Sequence, residues 1–150
     1  MCAVLVGGCG GKKEAESPTV EIADPILEEA IRKELFKQEG ELTQADLEKV
    51  TGLVLDGNQL TDVKGLEKLT QLEYLSLVNN QLTSVKGLER LTKLEGLFLS
   101  NNQLTDVKGL EKLKQLEYLE LDDNRALTKA QIDELQKALP NCEIDSTFTK

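Results

Sequence analysis

Histidine is absent from the 150 residues, and so is tryptophan. Without His the chain lacks the commonest general base and the commonest metal ligand. With 2 Tyr and 3 Phe as its only aromatics, it has no core organised around large rings. Positive charge is also scarce: 18 Lys and Arg against 27 Asp and Glu give a formal net charge of -9, the wrong sign for a nucleic-acid partner. No run approaches the roughly 18–20 apolar residues of a membrane-spanning helix. Neither a nucleophile elbow, a P-loop nor a His-based motif is present, so no catalytic residue and no cofactor are expected. What remains is a chain long enough for one domain with a core.

The three cysteines, Cys2, Cys9 and Cys142, form no CxxC or zinc spacing and are too scattered for a disulfide framework. Cys142, close to Ile144, reads as a small buried hydrophobe. At the N-terminus, Ala3-Val4-Leu5-Val6 leads into Gly7-Gly8-Cys9. The four positions Val6-Gly7-Gly8-Cys9 resemble a bacterial lipobox, in which the Cys is lipidated after cleavage. No Lys or Arg precedes the run, and it is shorter than the usual apolar region of about 7–15 residues. The resemblance implies residues 1–9 as a truncated or atypical lipoprotein signal and Cys9 as the lipidation site. Residues 10–23, polar and Gly/Ser/Pro-punctuated, then read as a flexible tether. The alternative is an unprocessed cytoplasmic chain.

The rest is dominated by repetition. Leu53, Leu75, Leu97 and Leu119 recur at a spacing of 22 residues, within the frame LxLxxNxLxxVxxLxxLxxLxx. A fixed period in the twenties means stacked coils, and such a core needs Leu layers rather than large rings. In each coil, LxL predicts a short strand. The following Asn (Asn58, Asn80, Asn102, Asn124) is expected to turn inward and bond the backbone of neighbouring coils. Val63, Val85 and Val107 open the return path, and the Lys-Gly-Leu-Glu steps read as a turn with an exposed, ion-paired rim.

Both ends carry cap signals. Asp24 before Pro25 predicts a helix start, with Ile26, Leu27, Ala30, Ile31, Leu35 and Phe36 on its apolar face and a stop at Gly40. Thr43 to Asp46 opens a second short helix, whose Leu47 and Val50 fall 22 residues before Leu69 and Leu72. Residues 24–52 therefore read as an N-terminal helical cap, 53–127 as the repeats, and 128–150 as a C-terminal cap and tail. In that last segment Thr128 to Gln131 is a further capping box. Ile132, Leu135, Ala138 and Leu139 give an amphipathic helix, and Cys142 to Ile144 a terminal strand.

These columns resemble the bacterial leucine-rich repeat family with 22-residue repeats, of the internalin-like or phosphatase-regulator-like type. The resemblance covers roughly Asp24 to Ile144. It implies an α/β solenoid, a right-handed horseshoe with short parallel strands on its concave side, helical caps at both ends, and binding through the concave side without enzymatic activity.

With the two Leu of LxL pointing inward, the residues between and beside them face outward on the sheet. Comparing the copies, the non-conservative swaps include Val54/Ser76/Phe98, Asp56/Val78/Ser100 and Tyr74/Gly96/Tyr118. All three are outward columns. Tyr74, Phe98 and Tyr118 should therefore share one exposed sheet, with Val54, Ser76, Val78, Ser100, Glu120 and Asp122 around them and a gap at Gly96. Clustered Tyr and Phe anchor protein interfaces, so a protein or peptide ligand is the expected partner. A strand preference of aromatics is the plainer explanation. Asp122 and Asp123, with Asp56 and Glu120 nearby, are acidic, but no EF-hand or RTX spacing accompanies them, so no metal site is expected. The sequence-level picture is a monomer in the bacterial cell envelope, touching the membrane only through a lipid anchor. A structural or assembly repeat without a dedicated partner, or a cytoplasmic regulatory subunit docking on an enzyme, are the competing readings.

Overall fold

The computed structural model of the chain describes residues 17–147. Cys9, the rest of the lipobox, residues 10–16 of the tether, and Phe148 lie outside them. Five three-residue strands form one sheet in chain order: β1 (Gly52–Val54), β2 (Tyr74–Ser76), β3 (Gly96–Phe98), β4 (Tyr118–Glu120) and β5 (Glu143–Asp145). All neighbours are parallel and in repeat register, so that Leu53, Leu75, Leu97, Leu119 and Ile144 stand side by side. Each of these is 4% exposed or less, and the later Leu and Val columns close the core beneath them.

Between strands the chain returns through a single turn of 3₁₀ helix, at Leu66–Lys68, Leu88–Arg90 and Leu110–Lys112. Its entry is a device repeated three times. Gly65, Gly87 and Gly109 adopt positive φ, and their N–H groups donate to Glu67, Glu89 and Glu111 at 2.7–2.8 Å. Asp62, Ser84 and Asp106 accept from the N–H two residues ahead. The rim carboxylates expected in ion pairs are thus bonded to backbone instead. For Glu89 the backbone bonds outweigh its partial burial and hold its carboxyl below the usual value.

The asparagine ladder forms as the spacing predicts, with one difference at its start. Asn80, Asn102 and Asn124 are buried. Asn102 accepts from Leu82 N at 3.0 Å and donates to Leu77 O and Leu99 O, both at 3.0 Å. Asn80 and Asn124 repeat the pattern one coil away. Asn58 is only half-buried, and its amide reaches no further than Asp56 O at 3.3 Å, because no preceding coil supplies a carbonyl.

Helix α1 (Pro25–Glu34) is capped by Asp24 and buries Leu27 and Ile31. It stops earlier than Gly40. Phe36 takes φ 53° and is 92% exposed, while Lys37 N donates back to Arg32 O, closing the turn. Phe36 therefore leaves the apolar face on which helical spacing placed it. The short helix α2 (Gln44–Leu47) has a reciprocal capping box between Thr43 and Asp46. Leu47 and Val50 are fully buried, in register with the repeats. The tether reading fails for its last residues: Thr19 bridges Thr43, Val20 N donates to Leu42 O, and Ile22 enters the core. At the other end α3 (Lys129–Ala138) carries the Thr128 capping box and buries Ile132 and Leu135. Cys142 is buried, and burial, with Glu143 beside it, pushes its thiol up to about 11.

Candidate functional site on the concave sheet

Because the LxL leucines are committed to the core, three rows of outward residues run across the five strands. The register makes the first row Gly52, Tyr74, Gly96, Tyr118 and Glu143, and the second Val54, Ser76, Phe98, Glu120 and Asp145. The third runs through Asp56, Val78, Ser100 and Asp122, at the strands' C-terminal ends.

The expected aromatic cluster exists, and it is tighter than the spacing implied. Tyr74 is 53% exposed and Val54 69%. Phe98 and Tyr118 are half-buried, their ring centroids 5.5 Å apart and tilted by 43°, a favourable geometry for such pairs. Gly96 is not a gap. A Cβ there would lie 2.7 and 2.8 Å from Tyr74 Cδ1 and Cε1, and 3.3 Å from Phe98 Cε2. The Tyr74 ring thus lies over the glycine, and the three aromatics make one continuous strip. Beside it α1 supplies a lip, so that Ala30, Lys33 and Glu34 face Val54, Tyr74 and Phe98 across an open groove of about 400 Å³.

The third row behaves unevenly. Asp56 accepts from Ser76 Oγ at 2.6 Å and from Val78 N at 2.9 Å, a clip between two coils. Val78 is half-exposed. Ser100 is only 8% exposed, and its Oγ has no hydrogen-bond partner among the described residues. Outward in register but buried, Ser100 offers a ligand little surface, unlike the exposed residues of the expected site.

Toward the C-terminal end the face becomes acidic. Glu120, Asp122 and Asp145 bring carboxylate oxygens within 4.8 Å of one another. Like charges at that range repel by about 1 kcal/mol even in bulk water. The Tyr118 hydroxyl donates to Asp145 Oδ2 at 3.5 Å. Burial, and then the negative fields of Asp145, Glu120 and Glu143, hold its phenol above the ordinary tyrosine value. Such a trio can accept a cation, whether a metal ion or the head of a Lys or Arg. Asp56 lies three strands away in its clip, and Asn124 in the ladder, so neither joins the trio. Glu143 and Asp145 were missed by sequence reasoning. The strand at Cys142–Ile144 was legible, but its outward residues stand in no copy of the 22-residue frame.

Among the described residues no helix is long and apolar enough to cross a membrane. The family described as leucine-rich repeats matches the chain twice, over residues 48–90 and 92–141. Among solved structures the fold is similar to an internalin (inlF) of Listeria monocytogenes, with 33% identity, TM-score 0.70, and 81% of this chain covered. It is also similar to internalin C2 of the same species, with 28% identity, TM-score 0.75 and 86% coverage. An LRR protein of Leptospira interrogans aligns at 42% identity over 67% of the chain, with TM-score 0.62. The chain spans 36%, 57% and 26% of those three proteins. Comparison with curated proteins returns no match.

Proposed function

The chain belongs to the leucine-rich repeat family, and on that premise we propose that it is a protein-binding module, without enzymatic activity, that holds a protein or peptide on its concave sheet. The observation that carries this reading is the strip of Tyr74, Phe98 and Tyr118, partly exposed beside a groove and built in the columns where the copies differ. Exposed aromatic area of this kind is where interfaces concentrate their binding energy. Val54, Ser76, Val78, Glu120 and Asp122 surround the strip as rim. Replacing Tyr74, Phe98 and Tyr118 together with Ala is expected to abolish partner capture from bacterial envelope extracts while the fold persists. Undiminished capture would remove the face as the site.

The module works as a monomer tethered in the cell envelope through Cys9. This rests on the lipobox-like residues Val6 to Cys9. Palmitate labelling of the wild type and not of Cys9→Ala is the expected outcome, and equal labelling of both would sink the tether.

A further inference from the structure

The concave face has two chemically different ends. At one, Val54, Tyr74 and Phe98 offer apolar surface under the α1 lip. At the other, Glu120, Asp122 and Asp145 converge, with Glu143 beside Tyr118 in the first row. An acidic occupant would be repelled there. A purely apolar one would desolvate carboxylates without replacing their lost water.

We infer that the occupant is a protein segment pairing an apolar or aromatic anchor, seated on Tyr74 and Phe98, with a Lys or Arg whose head lies among Glu120, Asp122 and Asp145. This rests on the reading that the concave sheet is the binding face. The fit is one of charge and of distance. A guanidinium offers five donors in a fork that matches carboxylate oxygens, and those of Glu120, Asp122 and Asp145 lie within 4.8 Å of one another. The Tyr118 hydroxyl, donating to Asp145, lies between the two ends and helps to orient that carboxylate. Adjacent strands are about 4.8 Å apart, so β2 and β4 are separated by about 10 Å and β2 and β5 by about 14 Å. An extended segment crossing the strands rises about 3.3 Å per residue, which puts the basic residue about three or four positions from the anchor. Lys33, the cation lining the groove, belongs to the lip at the apolar end, where Glu34 adjoins it.

Selection of displayed random peptides against the whole protein tests this directly. The targets are the wild type, Glu120→Gln/Asp145→Asn and Tyr74→Ala/Phe98→Ala, each first shown to melt cooperatively. Wild type should enrich peptides with a Lys or Arg about three or four residues from an aromatic or aliphatic one. Those peptides should bind the carboxamide variant about tenfold more weakly, an effect that shrinks in high salt. Enriched peptides with no basic residue, or unchanged binding to the carboxamide variant, overturn this inference and leave the binding face standing. Peptides that bind Tyr74→Ala/Phe98→Ala as well as wild type overturn the binding face itself. Calcium that raises the melting temperature of wild type, but not of Glu120→Gln/Asp145→Asn, gives the carboxylates to a metal ion and also overturns the inference.

Discussion

The two faces of each strand obey different rules. In the third coil the inward residues Leu97 and Leu99 repeat Leu75 and Leu77 without change, and all four are fully buried. The outward residues Gly96 and Phe98 replace Tyr74 and Ser76. A side chain on the inner face must fit the coils above and below, so a change in one layer disturbs its neighbours. Outside, a side chain meets only its neighbours on the open sheet surface, and at Gly96 the Tyr74 ring lies over the position. The inner face is a stack of equal parts, and the outer face is where coils can differ.

The contrast breaks most visibly at Asn102. Replacing it with Ala orphans the buried Leu82 N, while Leu77 O and Leu99 O each lose one of two donors and keep Asn80 and Asn124. An orphaned buried group costs about 1–3 kcal/mol, and each lost net hydrogen bond about 0.5–1.5 kcal/mol. Urea unfolding of Asn102→Ala should show a loss of about 3 kcal/mol, against less than about 1 kcal/mol for Tyr74→Ala on the other face. Near-equal losses would mean that the ladder is not what holds the coils together.

Two glycines sharpen the comparison at smaller scale. Gly65 sits at φ 98° at the entry to a return turn, and an added Cβ would meet Leu27 Cδ2 of α1 at 2.9 Å. Gly65→Ala should lose about 1–3 kcal/mol through left-handed strain and displacement of the cap. Gly96→Ala lies in a strand of ordinary φ, and the atom in its way is the edge of a partly exposed ring. Its stability should shift by less than about 1 kcal/mol. The Tyr74 ring, however, must leave its seat, so tyrosine fluorescence should become more open to quenching by iodide. An unchanged quenching constant would show that the ring does not rest on Gly96.

How much of this was legible follows from the same division. The inward columns, the ladder and both capping boxes could be read from the chain because each is a local pattern copied at a fixed spacing. Phe36 was misplaced because helical periodicity does not reveal where a left-handed residue will end the helix. Ser17 to Ala23 looked like a tether by composition, and only the bridge to Thr43, distant in sequence, draws it into the cap. The aromatic strip was legible as a set of columns, whereas the seating of Tyr74 on Gly96 depends on a side-chain torsion that no spacing encodes. The acidic end was half-legible: Glu120 and Asp122 lie inside the repeat, but Asp145 joins them only through the pairing of β4 with β5.

The smallest effect probes that acidic end through Tyr118. Its phenol ionises above the ordinary value because of burial and then the fields of Asp145, Glu120 and Glu143. A raised folded-state value means that the native protein holds the proton more tightly than the unfolded chain. The associated stability is therefore present in full below about pH 10 and is lost as pH rises through the raised value. In a Tyr74→Phe background, phenolate absorbance reports Tyr118 alone. Its midpoint should lie above that of the urea-unfolded chain, and Glu120→Gln should bring it part of the way back. Tyr118→Phe should flatten the alkaline loss of stability. A midpoint equal to that of the unfolded chain would mean that water screens the carboxylates, and the outer face would then be divided by shape without being divided by charge.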